Sequence, residues 1–115
     1  MAHGHNHDLQ DELREPFRAL RAAIPDVMAG YTSLHNAAFV EGALSIKTKE
    51  LIALAIAITR ECDGCIAAHG RNLARRGATT EEVAEMIGVA ISMNGGPGTV
   101  WGPRALAAYQ EFKET

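Results

Sequence analysis

The chain has 115 residues, a net charge of −3 and a pI near 5.9. This length predicts a single domain, and the mild acidity argues against nucleic acid or an anionic membrane surface as the main partner. No stretch approaches the roughly 18 apolar residues of a membrane-spanning helix, and the N-terminus lacks an apolar signal segment, so we expect a cytoplasmic protein.

Three histidines alternate along the first seven residues. We expect residues 1–7 to form a flexible tail, in which His3, His5 and His7 either stay solvated or bind a metal ion loosely. The folded domain is then expected to span residues 8–115.

Apolar residues at helical spacing begin directly after this tail. They are Leu9, Leu13, Phe17, Leu20 and Ile24. Pro25 suits the first turn of a second helix. Ser45 can cap a third helix that runs from Ile46 to about Thr59.

The third predicted helix is apolar around its whole circumference between Leu51 and Ile58. A helix of this kind is buried on every side, and so short a chain offers few neighbours to bury it. We therefore expect a second copy of the chain to cover part of this helix. The same run could form a buried strand, but its alanines favour a helix.

Three further helices complete the prediction. The fourth begins at a pair of cysteines and ends before Gly77, and the fifth begins at a capping box between Thr79 and Glu82. After the break at 94–98, a sixth helix runs to Glu114. No alternating strand pattern is present, so we predict an all-α, single-domain bundle of about six helices that is an obligate oligomer.

The two cysteines of the chain, Cys62 and Cys65, form a Cys-x-x-Cys motif, and His69 follows four residues later. On a helix, both sulfurs and the imidazole fall on one face. A helix N-terminus and a nearby base favour the reactive thiolate. The motif therefore predicts a redox-active dithiol, with His69 as the base that exchanges its proton.

Glu50 is the candidate partner of His69. If the third and fourth helices form an antiparallel hairpin that turns near Glu61, the two residues are offset by about 4–5 Å along the axis. A carboxylate at that position would orient the imidazole and stabilise its charge. A simpler interpretation is a first-turn acid that only complements the helix dipole.

The same residues leave further interpretations open. A closed zinc site needs four ligands, of which Cys62, Cys65 and His69 would supply three, with Glu50 or a tail histidine as the fourth. The cysteines could also be two buried thiols without chemistry, or a redox sensor that does not turn over.

Several segments together resemble the carboxymuconolactone decarboxylase-like superfamily and, within it, the alkylhydroperoxidase D-like branch. They are Glu50, Cys62, Cys65 and His69, the run 47–55, and the stretch 93–97. The resemblance covers about residues 20–112. It implies an all-α fold, assembly as a homotrimer or homohexamer, and activity as a thiol peroxidase or disulfide reductase without a cofactor.

The resemblance also implies a role for each site residue. Cys65 attacks the hydroperoxide and becomes a sulfenic acid, and Cys62 supplies a proton and then closes the disulfide. His69 and Glu50 form a proton relay. An external dithiol, carried in some members by a lipoyl-bearing protein, restores the pair.

Two features qualify this resemblance. Gly64 stands where the best-studied form of the motif has a histidine, and the helix dipole by itself would favour the thiolate on Cys62. The position of His69 favours Cys65 instead. The decarboxylase branch proper does not depend on a Cys-x-x-Cys pair, so lactone decarboxylation is the less favoured activity.

Overall fold

Six α-helices, and no strand, make up residues 4–115, the part of the chain that the computed structural model describes. In chain order, α1 to α6 are His5–Ala23, Pro25–Ala38, Ile46–Thr59, Asp63–Arg75, Thr80–Asn94 and Gly98–Lys113. The all-α prediction with six helices is confirmed.

Local sequence signals set several of these helix boundaries. Ser45 Oγ accepts a hydrogen bond from Thr48 N at 3.1 Å and so caps α3. At α5, Thr79 and Glu82 form the predicted reciprocal capping box. Pro25 occupies the start of α2, where its missing N–H costs no helical hydrogen bond.

The N-terminal end of α1 differs from the sequence-based expectation. Residues 5–7 are not a tail but the first turn of α1, because the carboxylate of Glu111 accepts hydrogen bonds from the backbone N–H groups of Asn6 and His7, at 3.2 and 2.8 Å. Gly4 leaves the necessary room, since a Cβ there would lie 2.5 Å from Glu111 Oε1. The predicted tail is therefore wrong for residues 5–7, and His3 lies outside the described residues.

The hydrophobic core lies among α3, α4, α5 and α6. Close approach of α4 and α6 depends on Gly70, where a Cβ would lie only 3.1 Å from the Ala108 Cβ. Tyr109 is fully buried, and its hydroxyl donates to the carbonyl of Ala78 in the turn after α4. These contacts hold α4, which carries the cysteine motif, rigidly against α6.

The second helix contributes no buried residue to the single chain. Its C-terminal end is tied to α3, because Lys49 Nζ donates hydrogen bonds to the carbonyls of Ala38 and Val40, at 2.9 and 2.7 Å. A cation at this position also complements the negative end of the helix dipole. The tie fixes where α2 passes the first turn of α3.

Large apolar side chains remain exposed on α1, on α2 and on one side of α3, and we call them the apolar surface. They are Leu13, Phe17, Leu20, Val27, Tyr31, Leu34, Ile52 and Ile56. The opposite side of α3 is buried, through Leu54, Ala57 and Ile58. Among the described residues, no helix is long and apolar enough to cross a membrane.

Candidate active site

A tight turn between α3 and α4 positions the first cysteine. Cys62 N donates to the carbonyl of Ala57 and Glu61 N to that of Ile58, both at 3.1 Å, which is the Schellman pattern at the end of a helix. Glu61 takes the left-handed conformation, with a φ of 51°, that this pattern requires. That conformation costs a residue with a Cβ about 1–2 kcal/mol, so the packing around the turn must hold Glu61 in place.

The two cysteines begin α4 and are joined by a disulfide, with their Cα atoms 5.2 Å apart. Cys62 is the N-cap residue, and its Sγ accepts a hydrogen bond from Cys65 N at 3.2 Å. Cys65 is exposed, whereas Cys62 is half-buried. Reagents in solution can therefore reach the pair, mainly at Cys65.

Behind the cysteines, Glu50 and His69 form a hydrogen-bonded pair. His69 Nδ1 lies 2.6 Å from Glu50 Oε1, and Glu50 is only 4% exposed. Because a carboxylate can only accept, Nδ1 carries the hydrogen. No partner of Nε2 is found within residues 4–115, so that nitrogen is available to exchange a proton in the pocket.

The other oxygen of Glu50 is also satisfied, because Asn72 Nδ2 donates to Oε2 at 3.1 Å. Sequence reasoning did not single out Asn72. The signal was present, since Asn72 follows Cys65 and His69 at helical spacing on the same face of α4. With both oxygens bonded, Glu50 has one fixed orientation and holds the imidazole ring in place.

An aromatic wall from α2 closes the other side of His69. The Phe39 ring stacks on His69 with the centroids 5.9 Å apart, and the His35 ring stacks on Phe39 at 4.4 Å. Tyr31 continues the row at 6.3 Å from His35. Tyr31 and His35 are spaced by four on α2 and Phe39, its C-cap residue, follows at the same spacing, so the three rings lie on one side of the helix, but only the tertiary structure places that side beside α4.

These elements enclose a pocket of about 570 Å³, which we call the thiol pocket. Its lining residues are Tyr31, His35, Phe39, Ala53, Ile56, Ala57, Arg60, Cys62, Cys65 and His69. The pocket thus brings together three of the four predicted site residues. Glu50 lies behind His69 and borders a neighbouring pocket instead.

Residues 25–113 match the model of the carboxymuconolactone decarboxylase family. The chain belongs to this family. The membership inferred from the Glu50, Cys62, Cys65 and His69 pattern is thereby confirmed.

Relatives of this family member agree in sequence and fold. An uncharacterised protein of Cupriavidus necator is 38% identical over 98 residues, which cover 85% of this chain and 87% of that protein. Uncharacterised protein 4 in the cox locus of Paracoccus denitrificans is 38% identical over 82 residues, which cover 71% of this chain and 74% of that protein. The crystal structure of an apo carboxymuconolactone decarboxylase family protein from Legionella pneumophila superposes with a TM-score of 0.91, at 39% identity, and covers 94% of this chain and 96% of that one.

The histidines predicted as loose metal ligands pair with acids in this family member, as far as the structure describes them. His5 Nε2 lies 2.7 Å from Asp63 Oδ2, and His7 Nδ1 lies 2.5 Å from Glu111 Oε2. Within residues 4–115, no group of three or more His, Cys, Asp and Glu side chains is arranged to hold a metal ion. Among these described residues, the zinc interpretation therefore has no preformed ligand set in this oxidised form.

Proposed function

We propose that this family member is a thiol-dependent peroxidase, which reduces hydroperoxides with the Cys62–Cys65 pair. One observation carries the proposal: the pair opens into a pocket that also holds His69, and buried Glu50 orients that histidine. A reactive sulfur, a base and a group that orients the base are the parts that nucleophilic catalysis requires.

The proposed reaction needs two steps on the enzyme and one with a donor. The Cys65 thiolate attacks the peroxide, the O–O bond breaks, and a proton goes to the departing alkoxide to form an alcohol. The Cys62 thiol then attacks the sulfenic acid of Cys65, which forms the disulfide and releases water. An external dithiol reduces the disulfide and is itself oxidised, so that electrons and atoms balance.

Cys65 is the proposed attacking sulfur because it is the more exposed of the two. Cys62 is half-buried and forms part of the helix cap, which suits the resolving role. His69, through Nε2, is the proposed carrier of the proton between the thiols and the leaving oxygen. Glu50 is a positioning residue that stabilises the imidazolium when it forms.

The same pair can also reduce a substrate disulfide by thiol–disulfide exchange. The proposed electron donor in either reaction is a small dithiol or a lipoyl-bearing protein. Turnover needs a steady supply of such a donor, and the cytoplasm, as a reducing compartment, is the proposed location. A redox sensor would differ in one measurable respect, since it would be oxidised once without multiple turnovers.

Replacing either cysteine tests the proposal. We expect Cys62→Ser and Cys65→Ser each to abolish dithiol-dependent consumption of hydroperoxide, because neither variant can form the disulfide. A sulfenic acid should be trapped on Cys65 in the Cys62→Ser variant and detected by mass spectrometry of the adduct.

Three results would contradict parts of this proposal. Full turnover in both variants would exclude the pair from the reaction. A single stoichiometric oxidation of the wild type, without turnover, would indicate a sensor. Sulfenic acid on Cys62 but not on Cys65, each measured with the other cysteine replaced, would reverse the two roles.

We also propose that the apolar surface is covered by further copies of the chain in a homotrimer or homohexamer. Eight large apolar side chains of α1, α2 and α3 are exposed in the single chain, and exposed apolar surface of this extent marks an interaction site. Tyr31 and Ile56 belong to both this surface and the thiol pocket, so a second copy would border the pocket.

A further inference from the structure

The charge of the thiol pocket is unbalanced. Arg60 lines it, and no carboxylate does. Arg60 is exposed and has no ion-pair partner in the described part of the chain. The nearest acids in sequence are Glu61 and Asp63; neither lines the pocket, and Asp63 is paired with His5.

The rest of the pocket wall is largely apolar. Phe39, Ala53, Ile56 and Ala57 contribute hydrocarbon surface, and Tyr31 adds an aromatic ring. Surfaces of this kind bind the apolar part of a ligand, while a few polar groups fix its orientation. Arg60 is the permanently charged side chain of this wall, and a guanidinium pairs best with a carboxylate or a similar planar anion.

We infer that the thiol pocket selects substrates with an apolar body and a carboxylate, and that Arg60 binds this carboxylate. The inference names the substrate class of the site and rests on the proposed function. Arg60 is the C-cap residue of α3 and stands two residues before Cys62 on the same tight turn. An anion held by Arg60 therefore stays next to the disulfide, and this fixed geometry favours reaction at the sulfurs.

The first experiment measures the charge preference of the pocket without any turnover. In the Cys62→Ser background, the reduced full-length protein is alkylated at Cys65 with iodoacetate and, separately, with iodoacetamide. The two reagents have similar size and differ in charge, so the ratio of their rates cancels the fraction of thiolate. We expect Arg60→Gln to lower the iodoacetate-to-iodoacetamide ratio about three- to tenfold, the effect of one nearby charge at partial exposure.

Two further variants serve as controls. Arg60→Lys keeps the positive charge, so its iodoacetate-to-iodoacetamide ratio should stay close to that of the protein with Arg60. Arg104→Gln removes an arginine that stacks on Trp101 and lines a different pocket, and it should leave the ratio unchanged. If Arg60→Gln changes the ratio no more than Arg104→Gln does, the inference is overturned and Arg60 is a solvated residue that only complements the end of α3.

The second experiment uses substrates. The tertiary hydroperoxide of 4-isopropylbenzoic acid and the hydroperoxide of its methyl ester share one compact apolar body, with the –OOH group one ring away from the carboxyl group, and only the acid carries charge. We expect Arg60→Gln to raise KM for the acid about three- to tenfold more than for the ester. An equal change for both overturns the inference. If neither hydroperoxide is turned over but the alkylation ratio still falls, the proposed function fails and the anion-binding pocket stands.

Discussion

The buried carboxylate of Glu50 receives hydrogen bonds at both oxygens, from His69 Nδ1 and from Asn72 Nδ2. Because both donors are fixed, the carboxylate can adopt only one orientation. The carboxylate in turn restricts the imidazole to one orientation. Such a support holds a proton-transferring group within the small tolerance that catalysis allows. In the proposed function, proton transfer at the site therefore depends on a residue that does not line the thiol pocket.

Glu50→Gln tests this dependence. The amide is neutral, and it cannot accept from both His69 and Asn72 through its two terminal atoms, so the imidazolium loses its counter-charge. We expect oxidation of Cys65 by hydroperoxide to slow about 100-fold, the lower end of typical general acid–base contributions, and the pH profile of this rate to change. The measurement is single-turnover oxidation followed by mass spectrometry across pH 5–9.

Glu85→Gln is the matched control, because Glu85 is exposed on α5. Its rate and pH profile should equal those of the wild type. An unchanged pH profile in Glu50→Gln, with only a loss of thermal stability, would reduce Glu50 to a structural residue.

At the scale of elements, the N-terminal end of α1 depends on a carboxylate from α6. Burial would raise the pKa of Glu111, but the hydrogen bonds from the Asn6 side chain, and from the backbone and ring of His7, outweigh it and lower this pKa from 4.5 to about 2. These donors bind the charged form and satisfy free N–H groups of the first helical turn. The helix begins at His5 because a distant residue supplies its cap.

This shift makes stability depend on pH. The pKa of Glu111 is lower in the folded protein than in the unfolded one, so its contribution is fully present above about pH 4.5 and disappears as the pH falls towards 2. We expect Glu111→Gln to lower the free energy of unfolding by about 1–3 kcal/mol at pH 7. The variant should also lack the part of the acid-induced loss of stability that comes from protonation of Glu111.

Urea unfolding at a fixed protein concentration, at pH 7 and pH 3, measures both effects. Hydrogen exchange at the first turn of α1 reports the local change. If the free energies of unfolding of wild type and variant differ by the same amount at both pH values, the charge of Glu111 plays no part in stability.

At the scale of the whole molecule, the single chain leaves the apolar surface without a partner. Leu34 is 67% exposed on α2, a helix that buries no residue of its own. Ile52 is 46% exposed on α3, which is apolar around its circumference. Removal of these side chains from water would add the stabilisation that so small a core lacks.

We expect Leu34→Glu to dissociate the proposed oligomer, because a buried, unpaired carboxylate opposes association. Leu34 lies outside the thiol pocket, so the substitution does not touch the site directly. Sedimentation velocity or light scattering of the variant should give a smaller particle than that of the wild type. Ala84→Glu adds the same charge at an exposed position of α5 and should leave the particle unchanged.

A wild-type protein that sediments as a monomer would contradict the proposed assembly. Equal dissociation in Leu34→Glu and Ala84→Glu would indicate that charge alone, and not the apolar surface, controls association.

Much of the fold followed from short-range signals. The caps at Ser45 and Thr79, the proline at the start of α2 and the spacing of apolar residues act within one or two turns of a helix. The sequence therefore predicted six helices, and it placed both cysteines and His69 on one face of α4. Such features depend on the geometry of a single helix, which is the same in every protein.

The tertiary structure decided what those helices surround. It put Glu50 against His69, brought Asn72 to the second carboxylate oxygen, set the aromatic face of α2 across the pocket, and moved the start of α1 to His5 through Glu111. Each of these contacts joins different helices or depends on which side of a helix is buried. Distances between helices are set by how side chains pack, and no local pattern in the sequence encodes that packing.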